Sequence, residues 1–126
     1  MAATRTTHKA EAPRRSSPLV DQLGAVRVSP TSVLSWVPAE ALESLGIRPE
    51  SNWEFQRPDG TVFTRASASA ILFVDGRATA DDVIVCEAGD EPVIGWRTLR
   101  GLNLRIEEAT ECLVDGGPIP AAAVAA

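Results

Sequence analysis

One stretch decides the fold of this chain: Val93-Ile94-Gly95-Trp96-Arg97-Thr98-Leu99-Arg100-Gly101-Leu102-Asn103-Leu104. Two apolar residues and a glycine come first, and a short helical pattern that ends on leucines follows. Residues 104–106 then alternate apolar and polar side chains, as a strand does. The pattern predicts a strand, a tight crossing at Gly95, a helix and a further strand.

Length and composition predict one globular domain. The chain has 126 residues, of which 44% are hydrophobic and 23% charged, a profile typical of a folded domain. We expect a flexible basic arm over residues 1–18, a domain over 19–120 and a small-residue tail over 121–126. No apolar run reaches the roughly 18 residues of a membrane span, and the N-terminus carries no signal-like apolar stretch. The expectation is a cytoplasmic protein that does not contact membranes.

The charge distribution argues against nucleic acid as a partner. Net charge is −5, with 12 basic and 17 acidic residues. The arm holds Arg5, Lys9, Arg14 and Arg15 against Glu11, so the rest of the chain carries the whole acidic excess. Phosphate binding depends on clustered Lys and Arg, which an acidic body lacks.

Cysteine and histidine usage predicts neither a metal site nor a cofactor. Cys86 and Cys112 are too far apart for a CxxC motif. Both occupy apolar, strand-like segments, so we expect them to be buried as small hydrophobic residues. His8 is the only histidine and lies in the arm, which excludes Ser-His or Cys-His catalysis in the domain.

The middle of the chain predicts one helix followed by β-hairpins. Pro38 suits a first helical turn and Gly46 a left-handed stop, which favours a helix of about two turns between them. Strand-like alternation surrounds the turns Pro58-Asp59-Gly60 and Asp75-Gly76. Further strands are expected at 26–28, 83–86 and 112–114, with an acidic loop over 88–92.

In order and spacing, residues 26–120 resemble the retropepsin-like (retroviral-type) aspartic peptidases, especially the small bacterial single-lobed kind. The matching pieces are the helix from Val37 to Gly46, the Arg57-Pro58-Asp59-Gly60-Thr61 turn, the stretch from Val93 to Leu104, and the tail from Leu113 to Pro120. The resemblance implies an all-β fold: a single-lobed, closed or partly open β-barrel with one or two short helices. It also implies a homodimer, a flap tip at Asp59 and Gly60 that closes over a peptide or protein ligand, and a supporting segment at Ile94 and Gly95 behind the catalytic loop.

The catalytic loop departs from the family pattern. The family's Asp-Thr-Gly begins about nine residues before the proline that opens the helix, and here that position holds Ser29-Pro30-Thr31. The family's reaction needs two carboxylates that share a proton, one from each subunit. A serine hydroxyl cannot act as that base, and the domain has no histidine or lysine to activate it. The resemblance therefore implies an impaired catalyst.

Three functions stay open at this stage. The first is an inactive peptidase-like binding or dimerisation module. The second is an active aspartic endopeptidase that uses another carboxylate, for which Asp21 is the candidate, although it lies 17 residues before Pro38. The third is a fragment or frame-altered reading of a family member with residues 1–31 out of register, because similarity begins abruptly near Thr31 or Ser32. Asp59, Asp75 and Asp115 each precede a glycine, and an ordinary turn is the expected role of each.

Overall fold

The computed structural model describes residues 7–8, 26–74, 76–110 and 112–123. These residues form a mostly β structure with two short helices, which confirms the predicted all-β class at its coarse level. The strands are β1 (Thr7–His8), β2 (Val26–Val28), β3 (Ser35–Pro38), β4 (Ser51–Gln56), β5 (Val62–Val74), β6 (Arg77–Cys86), β7 (Val93–Ile94), β8 (Leu104–Glu107) and β9 (Cys112–Asp115). The helices are α1 (Ala39–Ser44) and α2 (Trp96–Gly101).

Helix α1 lies between Pro38 and Gly46 as predicted, although Pro38 is the last residue of β3 and not part of the first helical turn. Pro38 precedes it in an extended conformation, and Gly46 follows with φ +73°, a left-handed value that side chains other than glycine rarely adopt. Ala41 and Leu42 are buried against the sheet, while Glu40 points to solvent in the first turn. The burial of this one face fixes the helix on the domain.

Two antiparallel hairpins supply the long strands. In the first, Gln56 of β4 pairs with Val62 of β5, and Gly60 in the turn has φ +93°. In the second, Val74 of β5 pairs with Arg77 of β6. The predicted turn residue Asp75 lies outside the described residues. Both hairpins follow the Asp-Gly signals of the sequence.

The main sheet has seven strands in the order β1-β2-β7-β3-β6-β5-β4, and β8 and β9 form a separate pair. Strand β7 lies between β2 and β3, parallel to β2 and antiparallel to β3. Within the described ranges this order is linear, with β1 and β4 at the edges, so these residues do not form a closed barrel.

The sheet coils, because an aromatic contact joins strands that are far apart in its order. The ring centroids of Trp36 on β3 and Phe55 on β4 are 5.1 Å apart, although β6 and β5 lie between those strands. In a flat sheet the same strands would be separated by about 14 Å. The outer part of the β4–β5 hairpin therefore folds back over β3.

The core is aliphatic. It contains residues from both sheets and both helices, with Val37, Leu42, Leu72 and Val83 almost fully buried. Leu99 and Leu102 attach α2 to this core, and Leu104 attaches β8.

The prediction that both cysteines are buried is wrong for Cys112. Its side chain is exposed, whereas Cys86 is half-buried. Cys112 is the first residue of β9, where it pairs with Glu107 at the end of a two-stranded sheet. Leu113 and Val114, the apolar neighbours that suggested burial, are themselves only half-buried.

The predicted N-terminal boundaries are only partly within the described residues. Thr7 and His8 of the predicted arm form β1 and pair with Arg27 and Val26. The rest of residues 1–18, the predicted approach strand from Leu19, and Asp21 lie outside the described ranges. No helix within those ranges is long and apolar enough to cross a membrane.

Candidate functional site

The segment between β2 and β3 is a short loop whose ends are held by the strand between them. The backbone N–H of Ser29, at the start of this loop, donates to the Ile94 carbonyl at 2.9 Å. At the other end Leu34 is buried and Trp36 pairs with Val93. Residues 29–34 thus project from two strands that β7 joins.

The first turn of α2 is capped by this loop. Trp96 donates its backbone N–H to the Ser32 carbonyl at 2.8 Å, and Arg97 donates to the Val33 carbonyl at 3.1 Å. The first N–H groups of any helix lack partners within the helix. Here the loop provides them, so the position of α2 and the shape of the loop depend on each other.

Gly95 is required where the loop and β7 cross. A Cβ atom at this position would lie 2.5 Å from the Leu34 carbonyl oxygen and 2.8 Å from that of Ser32. Its φ of −88° is available to any residue, so the constraint is the close backbone approach alone. This close approach explains why the stretch from Val93 to Leu104 carries a glycine at position 95.

A buried hydrogen-bond chain continues from the crossing toward the opposite surface. Gly95 donates its N–H to Ser35 Oγ at 2.9 Å, Ser35 and Thr98 hydroxyls are 2.6 Å apart, and Thr98 donates to Asp81 Oδ2 at 3.0 Å. Because Thr98 gives its one proton to Asp81, Ser35 must be the donor toward Thr98. Arg97 Nε then pairs with Asp81 Oδ1 at 3.0 Å. Ser35 and Thr98 have no exposed surface, so the chain rigidly locks β3, β6 and α2 together.

Residues 29–31, which the resemblance aligned with the family's Asp-Thr-Gly, form a neutral tip. Ser29 is buried, while Pro30 and Thr31 are exposed. The hydroxyls of Ser29 and Thr31 share a hydrogen bond of 3.2 Å. Neither hydroxyl has a carboxylate or cationic partner among the described residues, so nothing there lowers the barrier to removing a proton. As it stands, the tip can accept and donate hydrogen bonds but cannot serve as an acid–base pair.

Asp59 and Gly60, the predicted flap tip, form an ordinary hairpin turn. Asp59 Oδ1 accepts from the backbone N–H of Thr61 at 2.9 Å and from its hydroxyl at 2.7 Å. These hydrogen bonds hold the pKa of the Asp59 carboxyl below its usual value. The turn is exposed, and the structure does not bring it into hydrogen-bond contact with the 29–31 tip.

The body of the same hairpin is fixed over β3 by aromatic and ionic contacts. Phe55 stacks on Phe63 with centroids 5.5 Å apart, and the Arg65 guanidinium lies 4.8 Å from the Phe63 ring centre. Arg65 also makes a bidentate pair with Asp90, at 2.6 Å and 3.0 Å. Arg65 first, and then the N–H of Glu87, hold the pKa of the Asp90 carboxyl below its usual value. The hairpin is therefore held against Trp36 through Phe55 and fixed to Asp90 through Arg65.

Asp115, a further predicted turn residue, has the role expected of it. Its Oδ1 accepts from the backbone N–H of Gly117 at 2.6 Å, and its Oδ2 pairs with Arg77 at 2.6 Å. Within the described part of the chain, no three His, Cys, Asp or Glu side chains are placed to hold a metal ion.

Sequence reasoning missed Asp81 and its partners. One signal was available. Asp81, Val83 and Val85 are alternate residues of β6 and so lie on the same face of the strand, which places an acidic residue on its inward face. A buried carboxylate needs hydrogen-bond partners, and its side chain is only 5% exposed. The sequence contained no comparable signal for Ser35 and Thr98, because two hydroxyl residues 63 positions apart are paired only by the fold.

No protein-family model, curated protein or solved structure matches this chain.

Proposed function

We propose that this chain is a retropepsin-like, single-lobed protein that has lost its catalytic carboxylate and acts as a binding or dimerisation module. The observation that carries the proposal is the position of β7 between β2 and β3. That strand holds both ends of the loop at which an aspartic peptidase would carry its aspartate. The partly open barrel implied by the resemblance belongs to the same proposal.

The chemistry of the tip supports loss of activity. In an aspartic peptidase two carboxylates close together cannot both ionise, and the split in their pKa values provides one acid and one base. Two hydroxyl groups at the same place offer no such split, since neither Ser29 nor Thr31 ionises in the working range. Two copies of this loop meeting on a two-fold axis would therefore form a neutral, hydrogen-bonding contact.

The surface around the loop supports association with a second copy. Val33 lies beside the tip with 48% of its surface exposed. Pro30 and Thr31, also exposed, add no charge. An uncharged protrusion with an exposed aliphatic residue is suited to a self-complementary contact, in which apolar surface is removed from water.

Mass measurement by light scattering tests this proposal directly. We expect the wild-type chain to be a dimer, and Val33→Asp to shift it toward the monomer because two carboxylates would be placed near the axis. Val62→Asp is the matched control, since Val62 is similarly exposed at 60% but lies on the β4–β5 hairpin. A wild-type monomer, or equal effects of the two substitutions, would contradict dimerisation through the loop.

An assay for proteolysis tests the loss of activity. Purified wild-type protein should not cleave a denatured protein substrate between about pH 3 and 7. Cleavage that a pepstatin-type inhibitor blocks would overturn the proposal and favour an active enzyme with another carboxylate. In that case Asp21→Ala identifies whether Asp21 supplies it.

A further inference from the structure

The outer face of the β5–β6 hairpin forms a groove of about 560 Å³ with an apolar floor. The floor is made by Leu45 and Ile47, which follow α1, and by Ile71, Phe73 and Ala80 from the hairpin. Ile71 is 53% exposed and lies opposite Ala80 in the strand register. This volume lies within the range of ordinary ligand sites, and no residue of the 29–34 loop lines it.

The rim of the groove is acidic. Asp81, Asp82 and Arg97 line it, so its formal charge is −1. Arg97 is largely committed to the buried Asp81, with Nε 3.0 Å from Oδ1. Asp82 is 42% exposed, and its side-chain contacts with the described residues are long: Arg97 Nη2 at 3.6 Å and the Ser69 hydroxyl at 3.3 Å. The groove thus presents a carboxylate whose hydrogen-bonding capacity is mostly unused.

We propose that this groove binds a short peptide segment that carries a lysine or arginine beside an apolar side chain. The apolar side chain would cover Ile71 and Phe73, and the cation would reach the Asp82 carboxylate at the rim. Burial of apolar surface supplies the attraction, and the charge supplies selectivity over neutral or acidic segments. The site is separate from the loop that underlies the proposed function, so either proposal can fail without the other.

The test uses the ¹⁵N-labelled full chain and three N-acetylated, amidated tripeptides that differ only in the middle residue. Two leucines flank lysine, norleucine or glutamate. The lysine peptide should move the backbone amide signals of Ile71, Ala80 and Asp82 in a saturable way. We expect the norleucine peptide to bind about three- to fivefold more weakly, as for a partly exposed ion pair, and the glutamate peptide to bind more weakly still.

Variants assign the effect to the groove. Asp82→Asn should remove the preference for lysine over norleucine while leaving the norleucine affinity unchanged. Ile71→Ser should weaken both peptides. Glu54→Gln, an exposed carboxylate on the edge strand β4, should change neither.

Several outcomes would overturn the proposal. Equal affinity for the lysine and norleucine peptides would show that the Asp82 carboxylate does not select a cation and that the groove is a purely apolar patch. Backbone amide signals that move only in residues 29–34 would show that the peptide binds the loop between β2 and β3 and not the groove. Signals that change with protein concentration but not with peptide would identify a second copy of the chain as the occupant instead.

Discussion

At the scale of single residues, a few atoms decide whether the loop keeps its shape. Gly95 has no side chain, so β7 can pass within contact distance of the Leu34 and Ser32 carbonyls. Ser29 carries a hydroxyl that is hydrogen-bonded to Thr31, so the tip of this loop holds no acid–base pair. Under the proposed function, Gly95 preserves the scaffold and Ser29 marks the loss of its chemistry.

Replacement of Gly95 by alanine should be severely destabilising. The added Cβ would meet two backbone carbonyls at 2.5 Å and 2.8 Å, and backbone atoms cannot move aside as a flexible side chain would. We expect a loss of about 3 kcal/mol or more in the free energy of unfolding, at the upper end for overpacked sites. Urea unfolding followed by tryptophan fluorescence measures it.

Gly89→Ala is the control for this substitution. Gly89 has φ +90° and open space where a Cβ would lie, so alanine there costs only backbone strain of about 1–2 kcal/mol. If Gly95→Ala were no more costly than Gly89→Ala, the crossing would not be as tight as described.

The two thiols should differ in reactivity. Burial raises the pKa of the Cys86 thiol to about 11, so the fraction present as thiolate at pH 8 is about one in a thousand. Cys112 is exposed. Ellman's reagent should therefore modify one thiol rapidly in the native protein and two in denaturant, and Cys112→Ser should abolish the rapid phase. Two rapid thiols in the native wild type would contradict the burial of Cys86.

At the scale of elements, local signals were enough for the helices and hairpins. Pro38 and Gly46 bound α1, and the glycine of the Pro58-Asp59-Gly60 turn has the positive φ that its position requires. The predicted burial of Cys112 was wrong because its apolar neighbours belong to a two-stranded sheet that buries them only in part. Burial depends on what covers a strand, and a strand's own sequence does not contain that information.

The hairpin that covers Trp36 is anchored by an ion pair and should loosen in acid. The pKa of Asp90 is held below its unfolded value by Arg65, so its contribution to stability is fully present above about pH 4. That contribution is lost as pH falls through the lowered pKa, where the carboxylate gains a proton. Asp90→Asn should lower the free energy of unfolding at pH 7, and its curve should begin to approach the wild-type curve as pH falls below about 4.

Glu87→Gln is the matched control for the ion pair. Glu87 contacts Arg65 only at 3.6 Å and is 64% exposed, so its replacement should have little effect at any pH. Parallel wild-type and Asp90→Asn curves from pH 7 to pH 3 would show that Asp90 does not link stability to pH.

At the scale of the whole molecule, the arrangement depends on contacts that no local pattern encodes. Strand β7 inserts between two strands that lie more than 50 residues earlier in the chain. The resemblance provided an expectation of a supporting segment at Ile94 and Gly95, but composition and periodicity alone did not. The hydrogen-bond chain from Ser35 through Thr98 to the Asp81 carboxylate could likewise not be predicted from the sequence, because its members come from three separate elements.

The proposed function requires that a peptidase-type scaffold persists in this chain while its carboxylate does not. Cleavage of a denatured protein substrate by the combined Ser29→Asp, Pro30→Thr, Thr31→Gly variant tests it most directly. The control carries Ser29→Asn with the same two other changes, which keeps the shape but not the charge. We predict pepstatin-sensitive cleavage by the aspartate variant and none by the asparagine variant or the wild type. A folded aspartate variant that cleaves no more than its asparagine counterpart would contradict the account.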